Sequence, residues 1–547
     1  MPQKKGKEVV NKTPKRKAAA SPMPDWTIMV YMAGDNELSE DMITALKAMK
    51  AFAGNTNVNI VALYDSNYPP VPVTFYDFSN PYVVAGAGTN PDLKVFANTE
   101  IVRDILGPPP TRAPLPYPEP YAFDRNKEFV PIKKFVPWVL KQPQFKAKKY
   151  ALLLSGHSDG VIGRTIMRDD NPPNVLNLQK LGQVLEYCRK SLPRSTHPDQ
   201  KFDLLGFDGC LMAMLETAYE MKGIAEVMVA SEGNIPNSGW DYEAVLSDLI
   251  LHNPGWDAIE FARNIVTKYK GFNRDYIPSG RAINISAFDL KYARTFALKV
   301  NAIALLLYRN LTFNPGAKNP LVRAVFRESF IDFVLRSHFM SQTFMHNQAV
   351  DIMDFLYNLI DHWYFFNEQH KKLNPKFATN IFATRLDALE KAYTELLPIF
   401  GQLILKSCYD GAEYQFSRGV SVFFPWSQMA LNLLSTQYKT VKFDRRMRNW
   451  RKFFRKYVEL TMRTEETRSF REFVGIAADP FVAFTAAKDV TGKEYIGREY
   501  IGREYIGRGA EFYSYFEQMR NYSHLHKVTD PPHNEIDING CNSVQIL

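Results

Sequence analysis

The chain predicts a three-layer α/β/α fold: a mostly parallel central sheet with helices on both faces, extended by a helical insertion and a C-terminal helical region. Three observations carry that prediction. Apolar runs of strand length (Trp26–Met32, Val58–Tyr64, Tyr150–Leu154, Phe202–Phe207) alternate with longer stretches at helical spacing. The runs read as buried on both faces, the habit of parallel strands covered by helices. The last two are separated by a helical pattern, Leu178–Cys188, which suits a parallel crossover.

Residues 1–25 are basic and poor in large apolar side chains, and read as a disordered arm. Thr13-Pro14-Lys15-Arg16-Lys17 fits a nuclear-import patch, an acidic-surface contact or simply a solvated tail. A core then runs over 26–289. Its first strand, Trp26–Met32, meets a Gly34-Asp35-Asn36 turn and a helix from Leu38 to Phe52, with Ser39 as a candidate cap. Strands at Val58–Tyr64 and Val71–Phe78 follow. Seven prolines make 106–121 a loop or polyproline segment, and Asp124–Lys141 carries a helical pattern. A helix is expected over Trp256–Tyr269 and a strand over Ala282–Phe288. Residues 290–415 read as a helical insertion, and 416–427 as a returning core strand. The region 428–490 reads as helical, and 491–547 as a flexible tail.

In 438–458, nine basic residues interleave with Phe443, Trp450, Phe453, Phe454 and Tyr457. Such a segment can hold single-stranded nucleic acid or an anionic membrane. Met447, Trp450, Phe454 and Tyr457 fall at helical spacing, however, which favours one buried aromatic face and one solvated basic face. Residues 494–508 repeat Glu-Tyr-Ile-Gly-Arg three times, a period too short for a solenoid and too rich in Gly for a stable helix.

With 547 residues, 46% of them hydrophobic, the chain has ample material for a large core. No run of about 18 apolar residues exists, so no membrane span is expected. The lysine-rich start lacks an apolar stretch before Trp26 and does not read as a secretory signal. Four cysteines (Cys188, Cys210, Cys408, Cys541) have no paired spacing. That argues against a disulfide framework and for a reducing, intracellular compartment, cytoplasmic or, in a eukaryote, nuclear. The net charge of +9 sits in a few segments and describes those segments only.

Residues 202–215, FDLLGFDGCLMAML, are the most informative stretch. A short buried strand ends at Asp208-Gly209-Cys210, and a helical pattern begins at Leu211. That puts Cys210 at the carboxyl end of a strand, where open α/β sheets place their ligand sites. A nearby helix N-terminus is expected to lower the thiol pKa. Upstream, Tyr150–Ser155 repeats the design and runs out into Gly156-His157-Ser158-Asp159-Gly160. Parallel neighbours would bring His157 beside Cys210. A thiolate and an imidazole that exchanges protons with it, and then with a leaving amine, make a nucleophilic pair. The plainer reading of Cys210 is an inert buried thiol, and of His157 a loop histidine bonded to backbone.

At these residues the chain resembles the clostripain-like (C11) cysteine peptidases of the caspase-like clan. The resemblance rests on ordered blocks: Trp26–Ala33 with Asp35, Asn36 and Leu38; the His157 loop; the Asp208–Met212 turn; Ala230-Ser231-Glu232 with Gly239, Trp240 and Tyr242; and Gly419–Pro425. It implies a His157/Cys210 dyad and an Asp208 that lines the pocket for the residue before the cut bond. A partly buried carboxylate pairs bidentately with Arg and less specifically with Lys, although Asp208 could also serve as a helix cap. Ser158, Gly209, Ser231, Glu232 and Trp240 are assigned with it to substrate binding, and backbone N–H groups of Cys210 and of the loop after His157 would hold the oxyanion. Two positions depart from the family pattern. Ser158 stands where relatives have Gly, which puts catalytic efficiency in question if φ is positive there, and Gly209 replaces Ala or Ser.

The resemblance further implies a precursor cut at Lys or Arg, with Arg164, Arg168, Lys190 and Arg194 as candidates between the two strands. Arg498, Arg503 and Arg508, which end the three repeats, have the residue type such a pocket accepts. No cofactor is expected, and calcium is implied only by some relatives, since Asp159, Asp169 and Asp170 show no calcium-loop spacing. Expected partners are protein or peptide substrates with Arg or Lys before the cut, and an upstream activating protease. Two competing readings remain: a catalytically inactive scaffold of the same fold, and a nucleic-acid-associated protein using residues 1–17 and 438–458. Turnover of an Arg substrate, lost in Cys210→Ala, separates the first, and salt-sensitive oligonucleotide binding the second.

Overall fold

Strand β1 (Trp26–Gly34) shows why the chain folds in layers. Ile28, Val30 and Met32 enter one apolar cluster while Met29, Tyr31 and Ala33 enter another on the opposite face, all of them buried. A strand covered on both faces belongs inside a sheet.

The computed structural model of the protein describes residues 23–66, 73–79, 130–162, 166–170, 173–272, 281–313, 320–344, 348–373, 379–425, 430–432, 438–462 and 541–542. The basic arm up to residue 22, the proline-rich segment, the three repeats and most of the tail lie outside these residues. So do the candidate cleavage sites Arg164, Arg498, Arg503 and Arg508.

Chain order continues with β2 (Val58–Ser66), β3 (Thr74–Asp77), β4 (Lys149–Ser155) and the hairpin β5 (Ile166–Asp170) and β6 (Pro173–Leu176). Then come β7 (Phe202–Asp208), β8 (Ala225–Ala230) and β9 (Ile283–Asp289). The short β10 (Thr343–Phe344) and β11 (Ala349–Asp351) precede β12 (Ile404–Asp410), β13 (Ser421–Phe423) and β14 (Cys541–Asn542). Among the described residues the main sheet has nine strands in the order β14-β12-β9-β8-β7-β4-β1-β2-β3. It is parallel through β8, β7, β4, β1 and β2 and antiparallel towards both edges.

Helices α1 (Ser39–Lys50), α2 (Val130–Lys141), α3 (Leu178–Arg189), α4 (Leu215–Met221), α5 (Tyr242–Ser247) and α6 (Ala258–Phe272) flank the core. α1, α5 and α6 cover one face of the sheet, and α2, α3 and α4 the other. Between β9 and β12 lie α7 (Ala293–Leu311), α8 (Pro320–Met340), α9 (Ile352–Leu373), α10 (Thr379–Thr394) and α11 (Leu397–Leu403). α12 (Lys442–Arg446) and α13 (Arg448–Met462) follow β13.

The sequence expectations need three corrections. The strand that rejoins the main sheet is β12, inside the span read as helical insertion, while Ser421–Phe423 joins the small sheet β10-β11-β13. Helix α1 is capped at Leu38 without a side-chain bond, and Ser39 Oγ bonds instead to Tyr64 and Ser66. Helix α4 starts at Leu215 rather than Leu211, because the chain first turns through Leu211 at φ +61°. In α13 the aromatics Trp450, Phe453, Phe454 and Tyr457 are buried, and Trp450 Nε1–H donates to the Phe423 carbonyl at 2.8 Å. Rings packed this way are not free to stack on bases.

Candidate active site

Strands β4 and β7 run parallel with Ser155 opposite Asp208, so His157 and Cys210 leave the same sheet edge two residues further on. Cross-links tie the two ends together. The Gly156 N–H donates to the Asp208 carbonyl at 3.1 Å, and the Ser158 hydroxyl donates to the Cys210 carbonyl at 2.7 Å. The segment after β8 closes the far side: Leu211 N–H reaches the Gly233 carbonyl at 3.0 Å and Ala213 N–H the Ser231 carbonyl at 2.8 Å. A cavity of about 80 Å³ opens between α1 and residues 235–239, and His157, Asp208, Gly209 and Cys210 all line it.

Asp208 is almost fully buried. One oxygen accepts the hydroxyls of Ser155 and Tyr242, each at 3.1 Å, while the other is buried with no hydrogen-bond partner. Burial pushes its pKa up to about 6, against the opposing pull of Tyr242, Ser155 and the Trp240 N–H. Gly239, at φ +65°, makes room for it, since a Cβ there would lie 2.7 Å from the carboxylate.

The Cys210 sulfur accepts the Ile235 N–H at 3.2 Å. Burial raises the thiol pKa, and the charges of Asp159 and Asp208 add to the rise that Ile235 opposes. The expected lowering by a helix N-terminus is thus overturned, because α4 begins only at Leu215. His157 is partly exposed, and its Nε2 lies 3.1 Å from the Glu37 carboxylate. Glu37 also pairs with Arg168, which in turn binds Asp170. The Met167 N–H donates to the His157 carbonyl at 2.8 Å, so the β5–β6 hairpin straps the histidine loop directly.

The remaining predicted residues divide. Ser158 is buried and has no positive φ, so the anticipated strain is absent. Ser231 and Glu232 are both buried away from the cavity wall. Ser231 donates to Asn284 Oδ1 at 2.6 Å, while Glu232 accepts from Ser417, from the Gly419 N–H at 3.0 Å and from Asn284. Neither lines the cavity, and the bonds they make hold the loop, with Glu232 Oε1 left buried and without a partner. Trp240 packs its ring against Gly206 and serves Asp208 only through its backbone. Arg168 lies on the hairpin beside His157, whereas Lys190 and Arg194 are exposed on the connection leading to the amino end of β7. Sequence reading missed Glu37 and Asp41, the latter on the cavity-lining side of α1. The Asp35-Asn36-Glu37 turn after a core strand was the available signal. Among the described residues, no three His, Cys, Asp or Glu side chains converge to hold a metal, and no helix is long and apolar enough to cross a membrane.

The model of the clostripain family matches residues 30–468 of this chain. Clostripain from Hathewaya histolytica is 24% identical over 232 residues, which cover 40% of this chain and 41% of that protein. The chain thus spans about two fifths of the length of that curated relative. A secreted C11 cysteine protease from Bacteroides thetaiotaomicron, solved with an irreversible peptide inhibitor, is 14% identical. It aligns over 78% of this chain and 99% of its own, with a TM-score of 0.46. An inactive zymogen C11 protease from Parabacteroides distasonis is 16% identical over 78% of this chain and 99% of its own, at 0.44.

The expectation of an intracellular, disulfide-free protein is corrected here. Cys408 is disulfide-bonded, and its antiparallel register partner is Cys541. A bond of this kind belongs to oxidising compartments. It therefore argues against a reducing, intracellular compartment. Sequence spacing concealed it because strand pairing, not proximity in the chain, brings the two positions together.

Proposed function

Since the chain belongs to the clostripain family of C11 peptidases, we propose that it is a cysteine endopeptidase cutting after Arg or Lys. The observation that carries this reading is the unpartnered carboxylate oxygen of Asp208 in one cavity with Cys210 and His157. A buried carboxylate without a counter-charge is costly, and a guanidinium or ammonium entering the cavity supplies one.

His157 takes the Cys210 proton, and the thiolate sulfur bonds to the scissile carbonyl carbon. The resulting oxyanion lies against backbone N–H groups of Cys210 and the His157 loop. The imidazolium then gives its proton to the leaving amine as the C–N bond breaks, leaving an acyl-enzyme. Water, deprotonated by His157, releases the acid and restores the thiol. The raised thiol pKa and the imidazole's contact with Glu37 describe a resting site. Arg168 grips Glu37 from the hairpin strapped to His157, and cleavage in that hairpin would release the imidazole towards the sulfur.

Fluorogenic peptides ending in Arg or Lys test the reading, with mass spectrometry of the purified chain beside Cys210→Ala. Turnover and Arg- or Lys-terminal fragments, both lost in the variant, are expected. Identical intact chains and no turnover in either protein overturn it.

A further inference from the structure

We infer that Ser158 is a positioning residue: a strut that sets the distance between the two halves of the oxyanion site. The inference rests on the peptidase reading above. The buried Ser158 hydroxyl selects one particular carbonyl. At 2.7 Å it holds the carbonyl of Cys210 itself, across from one strand end to the next.

The same peptide unit is held from its other side, since the Leu211 N–H donates to the Gly233 carbonyl at 3.0 Å. Leu211 keeps φ at +61°, a conformation an L-residue adopts only where its surroundings impose it. Ser158 and Gly233 are thus the two clamps on the turn that carries the sulfur. Neither the Ser158 nor the Cys210 backbone N–H donates to a neighbouring carbonyl among the described residues. In the peptidase reading these are the two donors that meet the oxyanion. In that reading Ser158 contributes one of them and anchors the residue that contributes the other, so its hydroxyl is the side-chain bond that, beside the backbone bonds of Gly156 and Leu211, sets their separation.

Gly209 fits the same picture. A Cβ there would come within 2.6 Å of Ser158 Oγ and 2.5 Å of the Gly156 carbonyl oxygen. The hydroxyl fills the space a side chain at 209 would need, so the two positions are coupled by contact. Removing the hydroxyl leaves the cavity walls and Asp208 in place, because Ser158 is not among the residues that line the cavity and sits behind Gly156, His157, Gly209 and Cys210, which do. Binding and transition-state stabilisation should then separate.

The test uses the full processed chain, with rates normalised to titrated active sites so that unfolded material does not count. Ser158→Ala is expected to lower kcat on an Arg substrate roughly 10- to 100-fold, the scale of a misplaced oxyanion donor. KM and the affinity for benzamidine, which needs only the Asp208 carboxylate, stay unchanged, while affinity for a peptidyl-argininal falls with kcat. Ser158→Thr, which keeps the hydroxyl, retains the wild-type ratio of argininal to benzamidine affinity. Gly209→Ala is impaired, and adding Ser158→Gly recovers part of its kcat. An active wild type with an equally fast Ser158→Ala overturns this inference alone. Independent, additive effects at 158 and 209 do the same. A wild type that turns over neither Arg nor Lys substrates overturns the peptidase reading and the strut with it.

Discussion

Asp208 and Glu232 are two buried carboxylates on adjoining segments of one sheet edge, and their environments assign them opposite work. Asp208 spends one oxygen on Ser155 and Tyr242 and leaves the other without a partner in the cavity. Glu232 accepts from Ser417, Gly419 and Asn284, three groups that come from distant parts of the chain. Its remaining side faces Asp351, and two buried carboxyls can adjoin only by sharing a proton. Burial first, and then Asp351, raises its pKa well above the carboxylate range. Burial alone therefore does not mark a binding residue. Each keeps one oxygen without a hydrogen-bond partner, and what distinguishes the two is that Asp208 lines the cavity while Glu232 is enclosed beside Asp351.

The sharpest way to break this contrast is to neutralise each carboxylate in turn. Asp208→Asn should cut kcat/KM for Arg and Lys substrates about 100- to 1000-fold, since a cation in the pocket then lacks its charge partner. Thermal stability should hold or rise, because an uncompensated buried charge has gone. Loss of stability with unchanged kinetics would reverse the roles assigned here. Glu232→Ala should do the opposite, costing about 3 kcal/mol or more of stability by orphaning the Ser417 and Gly419 donors. Chemical denaturation of the folded chain measures it.

These two residues also show how far the sequence could be read. The strand ends carrying His157 and Cys210 were legible because apolar runs and glycine-rich exits are local features. Asp208 was legible only through family resemblance, two positions before the cysteine. The surroundings of Glu232 were not legible, because they consist of Ser417, Gly419 and Asp351, and no local pattern reports those contacts. The Cys408 disulfide and the true identity of the returning strand were hidden for the same reason. The helix expected at Leu211 failed on a different ground. Its apolar spacing was right, but the backbone is diverted by hydrogen bonds to Gly233 and Ser231.

Titration sharpens the contrast further. Asp208, pushed up to about 6 by burial, must be ionised to hold a cation. The kcat/KM profile should therefore carry an acidic limb near pH 6, and kcat a limb lying lower because bound substrate stabilises the anion. Glu232 and Asp351 affect stability instead. Their folded pKa values lie above the ordinary value, so between about pH 4 and the folded value the native state holds more protons than the unfolded chain. Stability from this pair is present at low pH and is lost as pH rises. His362, held neutral by burial with a pKa near 3, works the other way below its ordinary value of 6.5. The readout is therefore the difference in Tm between wild type and Asp351→Asn, which should shift steadily between pH 4 and 7. A parallel pair of curves would show that no proton is shared.

The smallest effect should come from Arg168, which touches neither carboxylate. Its pairing with Glu37 is largely solvent-exposed, and exposed ion pairs contribute little to stability. Arg168→Gln should leave Tm within a degree or two. Its effect on the unprocessed chain should be kinetic. With Glu37 no longer shared, the carboxylate is left to the imidazole alone, so alkylation of Cys210 by iodoacetamide should change by no more than a few-fold. Once the hairpin is cut, with an added protease where Arg168 is itself the cut site, the variant and wild type should react alike, because cleavage ends the hold of Arg168 on Glu37 in both. A large and persistent difference after cleavage would make Arg168 part of the working site and would move the boundary between pocket and support drawn above.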